Sequence, residues 1–204
     1  MSRPVFTVRL AAESDFPALE SLIPLSVRAL QARQYTAAQM DAALGPVFGV
    51  DRQLIRDGTY YVAHSVAGVV GCGGWSRRRA EFGSDRTRAE EDVAVDPRHD
   101  PARIRAFFVH PGWVRLGIGK AILFACESAA RAAGFRRAVL VATLTGEPLY
   151  AACGYVVQDR FEISLPGDLT LPVARMSRSL QVASGAKPLS WPPDLNKNED
   201  PDTG

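Results

Sequence analysis

Apolar and polar residues change period along this chain, and the changes mark its elements. Residues 5–10 alternate in the manner of a strand. Ser14 or Asp15 then stands where a helix N-cap is expected, and helical spacing runs on toward Arg33. Pro24 interrupts it, so the pattern predicts a bent or broken helix. Thr36 and Gln39 have the spacing of a capping box for a helix over 37–44, and a further short helix is expected over 51–57. The β-rich runs 59–64 and 69–75, separated by turn-forming residues, predict an antiparallel hairpin.

The strongest helical signal spans 117–133. Ile118, Ala121, Ile122, Ala125 and Ala129 recur at intervals of three and four, and Gly134 supplies a C-terminal stop. A strand is expected before it at 103–109, and a short, continuously apolar one after it at 138–142, the latter at the buried centre of a sheet. A short helix over 147–152 ends at Gly154. Two strands follow at 155–165 and 169–179, joined by the turn Pro166-Gly167-Asp168. Between 77 and 101 the chain is charged and poor in apolar residues, which predicts a long surface loop. Loops beyond ~12–15 residues are often functional, so this one is expected to border a substrate site. The whole predicts one α/β domain over 1–180, a mixed sheet flanked by helices, and a polar, Pro-rich, flexible tail over 181–204.

Composition narrows the functional classes. The chain has 204 residues, 47% of them hydrophobic, enough for the core of one medium-sized domain. A net charge of +2 with 23% charged residues gives neither a basic nucleic-acid footprint nor an acidic disordered character. No apolar run approaches the ~20 residues that cross a bilayer, and the first ten residues lack a secretion signal, so a cytoplasmic protein is expected. Cys72, Cys126 and Cys153 are too scattered for structural zinc and are expected to be reduced thiols; no metal is expected.

Chemistry concentrates in residues 104–120, where an apolar strand leads through a turn and glycines into the long helix. Free amides at a helix start, with the positive end of its dipole, form an anion site. Gly117 and Gly119 permit close approach, and Arg115 and Lys120 add charge. A nucleotide P-loop is excluded, because Val114 holds its first glycine position and Ala121 its hydroxyl position. A dinucleotide fold is disfavoured, since the motif follows the chain's middle instead of opening the first βα turn.

The run FFVHPGWVRLGIG at 107–119 resembles the central pattern of the GCN5-related N-acetyltransferase (GNAT) superfamily, and LYAACGY at 149–155 resembles its downstream element. The resemblance implies a GNAT-like acyl-coenzyme A N-acyltransferase fold, with the sheet splayed between two central strands and acetyl-coenzyme A wedged at the split. It further implies that the pyrophosphate rests on Arg115, Leu116, Gly117, Ile118, Gly119 and Lys120, and that the backbone of Phe107, Phe108 and Val109 pairs with the pantetheine arm. An acceptor amine, on a small molecule or a peptide, would attack the thioester directly in a ternary complex, with a nearby backbone N–H stabilising the developing charge. Tyr150 matches the tyrosine that protonates the departing thiolate, its alternative being an aromatic packed on its own helix. Trp75 and the region 35–44 would wall the acceptor.

The chain departs from the family pattern at several points. The Arg/Gln position of the motif is Val114, the asparagine often found seven residues before the tyrosine is Thr143, and the usual base positions fall on Arg103 and Ala138. The base is therefore open among Glu91, Asp92, His99, His110 and water, while His64 is assigned to its strand. Arg77, Arg78 and Arg79 read as exposed charge more readily than as an anion site. Beside an active acetyltransferase stands a second reading, a non-catalytic acyl-coenzyme A binding or sensing module. The acceptor, the acyl preference and the oligomeric state are not fixed by the sequence, a homodimer being one state allowed.

Overall fold

The computed structural model describes residues 5–79 and 93–181. Its elements in chain order are β1 (Thr7–Leu10), α1 (Phe16–Leu30), α2 (Ala37–Ala43), α3 (Arg52–Arg56), β2 (Tyr60–Ser65), β3 (Gly68–Ser76), β4 (Ala102–Val109), α4 (Ile118–Ala132), β5 (Arg137–Thr143), α5 (Glu147–Ala151), β6 (Val156–Leu165) and β7 (Leu169–Ser179). The strands form one mixed sheet in the order β1-β2-β3-β4-β5-β7-β6, antiparallel throughout except where β4 meets β5. This is the mixed α/β architecture the pattern predicts. One core, with Ile122, Cys126 and Leu140, lies between sheet and α4; the other, with Leu19, Ile23 and Leu54, includes α1, α2 and α3. No described helix is long and apolar enough to cross a membrane.

Of the bent or broken helix expected at Pro24, the break is absent, for α1 runs continuously through it. Proline removes one ladder hydrogen bond, yet Leu19, Ile23 and Val27 keep one buried stripe on both sides of it. Burial of that stripe outweighs the lost bond. Nor does the Asp15 carboxylate cap the helix: it accepts the Ala12 amide at 2.9 Å and pairs with Arg9 at 2.7 and 2.8 Å. The capping box of α2 is present, with Thr36 Oγ1 accepting from the Gln39 amide and Gln39 Oε1 from the Thr36 amide.

Helix α4 matches its prediction to within a residue. Gly134 is left-handed at φ 91°, its amide donates to Arg131 O and that of Phe135 to Ala130 O, a Schellman closure. Glycines in β3 let α4 and β4 come close: a Cβ on Gly71 would meet Ile118 at 2.5 Å, and one on Gly73 the Phe107 ring at 2.6 Å.

The described ends of the long 77–101 segment are not free loop, since Arg78 bridges Ala94 as a short antiparallel stem. The Arg78 guanidinium donates to Asp57 at 2.8 and 3.0 Å, so the middle arginine of the three serves structure. Residues 80–92, Glu91 and Asp92 among them, and the tail from 182 onward lie outside the described residues.

Candidate active site

Strands β4 and β5 pair only from Ala102–Ala138 to Ile104–Leu140, and then part. The cause lies in β4. Between Gly74–Arg105 and Cys72–Phe108 it spends three steps against two of β3, an extra residue that bends the strand. Ala106 sits there at φ 58°, a conformation costly for any residue with a Cβ. The Tyr60 hydroxyl, donating to Ala106 O at 3.2 Å, holds the bulge.

The split opens a cavity of about 100 Å³. Ile104 through Phe108 form one wall; Val141, Ala142, Thr143 and Tyr150 form another. Strand β7 overshoots β5, whose last pair with it is Thr143–Val173. The overhanging carbonyls of Thr170 and Pro172 accept from Gln39 Nε2 and the Tyr35 hydroxyl, both at 2.7 Å, and the Tyr35 oxygen also accepts the Leu144 amide at 2.8 Å. Tyr35, between α1 and α2, and Gln39 of α2 thus stand in for a strand beside the cavity. The acceptor wall foreseen at 35–44 is supplied by neighbouring positions, Gln31, Val47, Phe48 and Gly49. Trp75 is not in it: the indole is buried against Phe135, edge to face at 5.8 Å, in the α4 core.

Beyond β4, Arg115 and Gly117 are both left-handed, at φ 64° and 89°, which folds the turn over the start of α4. The ladder of α4 begins with the Ala121 amide on Gly117 O at 2.9 Å, so the amides of Ile118, Gly119 and Lys120 precede it. Arg115 and Lys120 are exposed beside them. Gly119 has a packing role too, since a Cβ there would meet Leu149 at 2.9 Å. Turn, split and α5 are thereby brought together, as the two motifs require.

Tyr150 reaches the cavity from α5 and is 8% exposed. Its ring stands edge-on to Phe107 at 6.0 Å and to Tyr155 at 5.9 Å. Burial, with smaller contributions from the Cys126 and Cys153 thiols, raises its pKa well above that of a free tyrosine, so it is a neutral phenol at physiological pH. Thr143 takes up local bonding where asparagine is frequent: its Oγ1 accepts the Gly146 amide at 3.2 Å.

Residues 56–157 match the family model described as the acetyltransferase (GNAT) domain. The chain belongs to the GNAT acetyltransferase family. Among solved structures, the GNAT fold seen here is similar to that of a GCN5-related N-acetyltransferase from Rhodopseudomonas palustris, at 20% identity and TM-score 0.65, covering 88% of this chain and 98% of that one. It is also similar to the PaiA N-acetyltransferase of Thermoplasma acidophilum in complex with coenzyme A, at 12% identity, TM-score 0.58 and coverage of 86% and 99%. A third is yncA, a putative acetyltransferase from Salmonella typhimurium with its cofactor acetyl-CoA, at 14% identity, TM-score 0.56 and coverage of 90% and 99%. No curated protein matches the sequence.

Several GNAT site expectations gain detail. The Val109 amide, turned from β3 because its neighbour His110 donates to Val70 O, lies 3.2 Å from Ser26 Oγ of α1 and donates to it. His110 is tied into its turn, Nδ1 accepting the Gly112 amide at 3.1 Å. His99 sits in the turn before β4 and His64 on β2, and neither lines the cavity. Among the described residues no group of His, Cys, Asp and Glu is arranged to hold a metal ion.

Sequence reasoning missed Gln31 and the Asp51–Arg105 pair. Arg105, in the cavity wall, is held by Asp51, which is 0% exposed. For Gln31 a signal existed: it continues the stripe Leu19, Ile23, Val27 by another four residues and is polar where that stripe is apolar.

Proposed function

We propose that this chain is an acetyl-coenzyme A-dependent N-acetyltransferase that acetylates a primary amine of a small molecule or peptide by direct attack in a ternary complex. The single observation carrying this is the split between β4 and β5, with the Arg115 to Lys120 turn at one end and Tyr150 in its wall. The fit to the cofactor is good on two counts. Left-handed Arg115 and Gly117 present amides ahead of the α4 ladder, a cradle for a pyrophosphate. The parted edge of β4 at Phe107, Phe108 and Val109 has no strand partner on the β5 side and suits an amide-bearing arm.

Bound acetyl-coenzyme A would supply the acetyl group as a thioester, the amine nitrogen forming the C–N bond as the C–S bond breaks. Tyr150, in the wall of the split, would give its proton to the departing sulfur. Its burial keeps that proton on oxygen until negative charge builds, and the same burial makes a departing thiolate more basic. The apolar walls, Phe107, Phe108 and Val141 among them, exclude water and strengthen such a hydrogen bond.

The test pairs coenzyme A titration with thiol release across an amine panel. Tyr150→Phe should lower kcat by about a hundredfold or more and leave the acetyl-coenzyme A Kd unchanged. Unchanged turnover would remove Tyr150 as acid. Binding without thiol release from any amine would make the chain a binding module instead.

A further inference from the structure

Gln31 ends α1 in the wall of the cavity, 8% exposed, and its Oε1 is buried with no hydrogen-bond partner. A buried acceptor left unmade is costly, and this one belongs to a side chain of the cavity wall, so a ligand donor that the amide turns to meet would relieve it. Around it the acceptor side is apolar, with Val47, Phe48, Ile163, Leu171 and Val173. Among the described lining residues Arg105 alone is charged, and it is a cation already balanced by buried Asp51 from the residue before α3. Tyr150, from α5, is neutral.

An alkylammonium entering this space would shed its hydration beside a guanidinium, with no described carboxylate in the wall to receive it. An uncharged amine meets no such penalty, and its N–H finds Gln31. We propose that Gln31 Oε1 receives an N–H of the acceptor, and that the acceptor is a weakly basic amine on a small apolar group, such as an arylamine or a hydrazide, bound uncharged. The inference rests on the acetyltransferase reading above and names its substrate class. It also accounts for chemistry without a histidine or carboxylate base at Arg103 or Ala138: such an amine is nucleophilic on arrival, and the proton it loses after C–N bond formation passes to water. A lysine-like amine, with pKa ~10.4, is neutral at pH 7 in only about one molecule in 2,500.

The experiment compares a small arylamine with an alkylamine of matched size, using the full chain, acetyl-coenzyme A and thiol release as readout. Expected for the wild type is kcat/KM favouring the arylamine at pH 7 and nearly flat between about pH 6.5 and 8.5, while that of the alkylamine rises about tenfold per pH unit. Gln31→Leu should raise the arylamine KM about tenfold, with kcat little changed and the acetyl-coenzyme A Kd unmoved. Gln31→Glu should shift preference toward the alkylamine, and it decides the matter if the leucine variant does not fold. An unmoved KM in Gln31→Leu, an unshifted preference in Gln31→Glu, or wild-type preference for the alkylamine at pH 7 overturns this inference and leaves the acetyltransferase reading standing. Absence of thiol release with every amine overturns both.

Discussion

Ser26 is 4% exposed on α1, and its hydroxyl accepts the Val109 amide from the β4 edge assigned to the pantetheine arm. If that arm takes the same amide, Ser26 holds its place in the free protein. Removing the hydroxyl then penalises the free state alone, because the cofactor satisfies the amide in the complex. Ser26→Ala should lower stability by about 1 kcal/mol and tighten coenzyme A binding by about fivefold, the same free energy seen from both sides of the linkage. Denaturant unfolding and calorimetric titration of one variant measure both. A destabilised variant with unchanged Kd would mean that the cofactor does not use the Val109 amide.

At the scale of elements, Asp51 joins two of them: one carboxylate oxygen caps α3 by accepting the Leu54 amide at 3.3 Å, and the other holds Arg105 of β4, next to the bulge. Both side chains are buried, so losing either leaves an uncompensated charge. Asp51→Ala or Arg105→Ala should each cost about 3–5 kcal/mol in urea unfolding, and the double variant less than their sum; additive losses would show the two to be uncoupled. Nothing local in the sequence announces this pair, since its members lie 54 positions apart and meet only through the sheet. What was legible had a local cause. Helix α4 shows its apolar period and its Gly134 stop, and the 107–119 and 149–155 motifs announce the turn and Tyr150. Pro24 does not break α1: the local rule counts a lost hydrogen bond but not the stripe that α1 buries across it. Trp75 misled because its place on β3 did not reveal which face it occupies.

The molecule as a whole is bounded by groups whose charge state the fold imposes. Asp15 beside Arg9 and Asp57 beside Arg78 are held below the ordinary aspartate range, chiefly by those hydrogen bonds. Their stabilisation is complete above about pH 4 and is lost as pH falls through the lowered values, where the unfolded chain has already taken up protons. The alkaline side runs the other way. Burial pushes the Cys72 thiol up to about 12 and also raises Tyr60, Tyr150 and Tyr155. The unfolded chain releases thiol protons near ~8.5 and phenol protons near ~10, so this stability is whole below about pH 8.5 and declines as pH climbs toward the folded values. Each such group contributes a slope of about 1.4 kcal/mol per pH unit. Unfolding free energy measured from about pH 3 to 11 should therefore show a plateau between about 4 and 8.5, falling at both ends. Cys72→Ala should lower the plateau through lost packing yet remove about one group's slope between about pH 9 and 11. An alkaline limb of undiminished steepness in that variant would show that the buried thiol does not govern it. The same burial that sets this limb keeps Tyr150 protonated across the plateau, so proton donation and folding share one pH range.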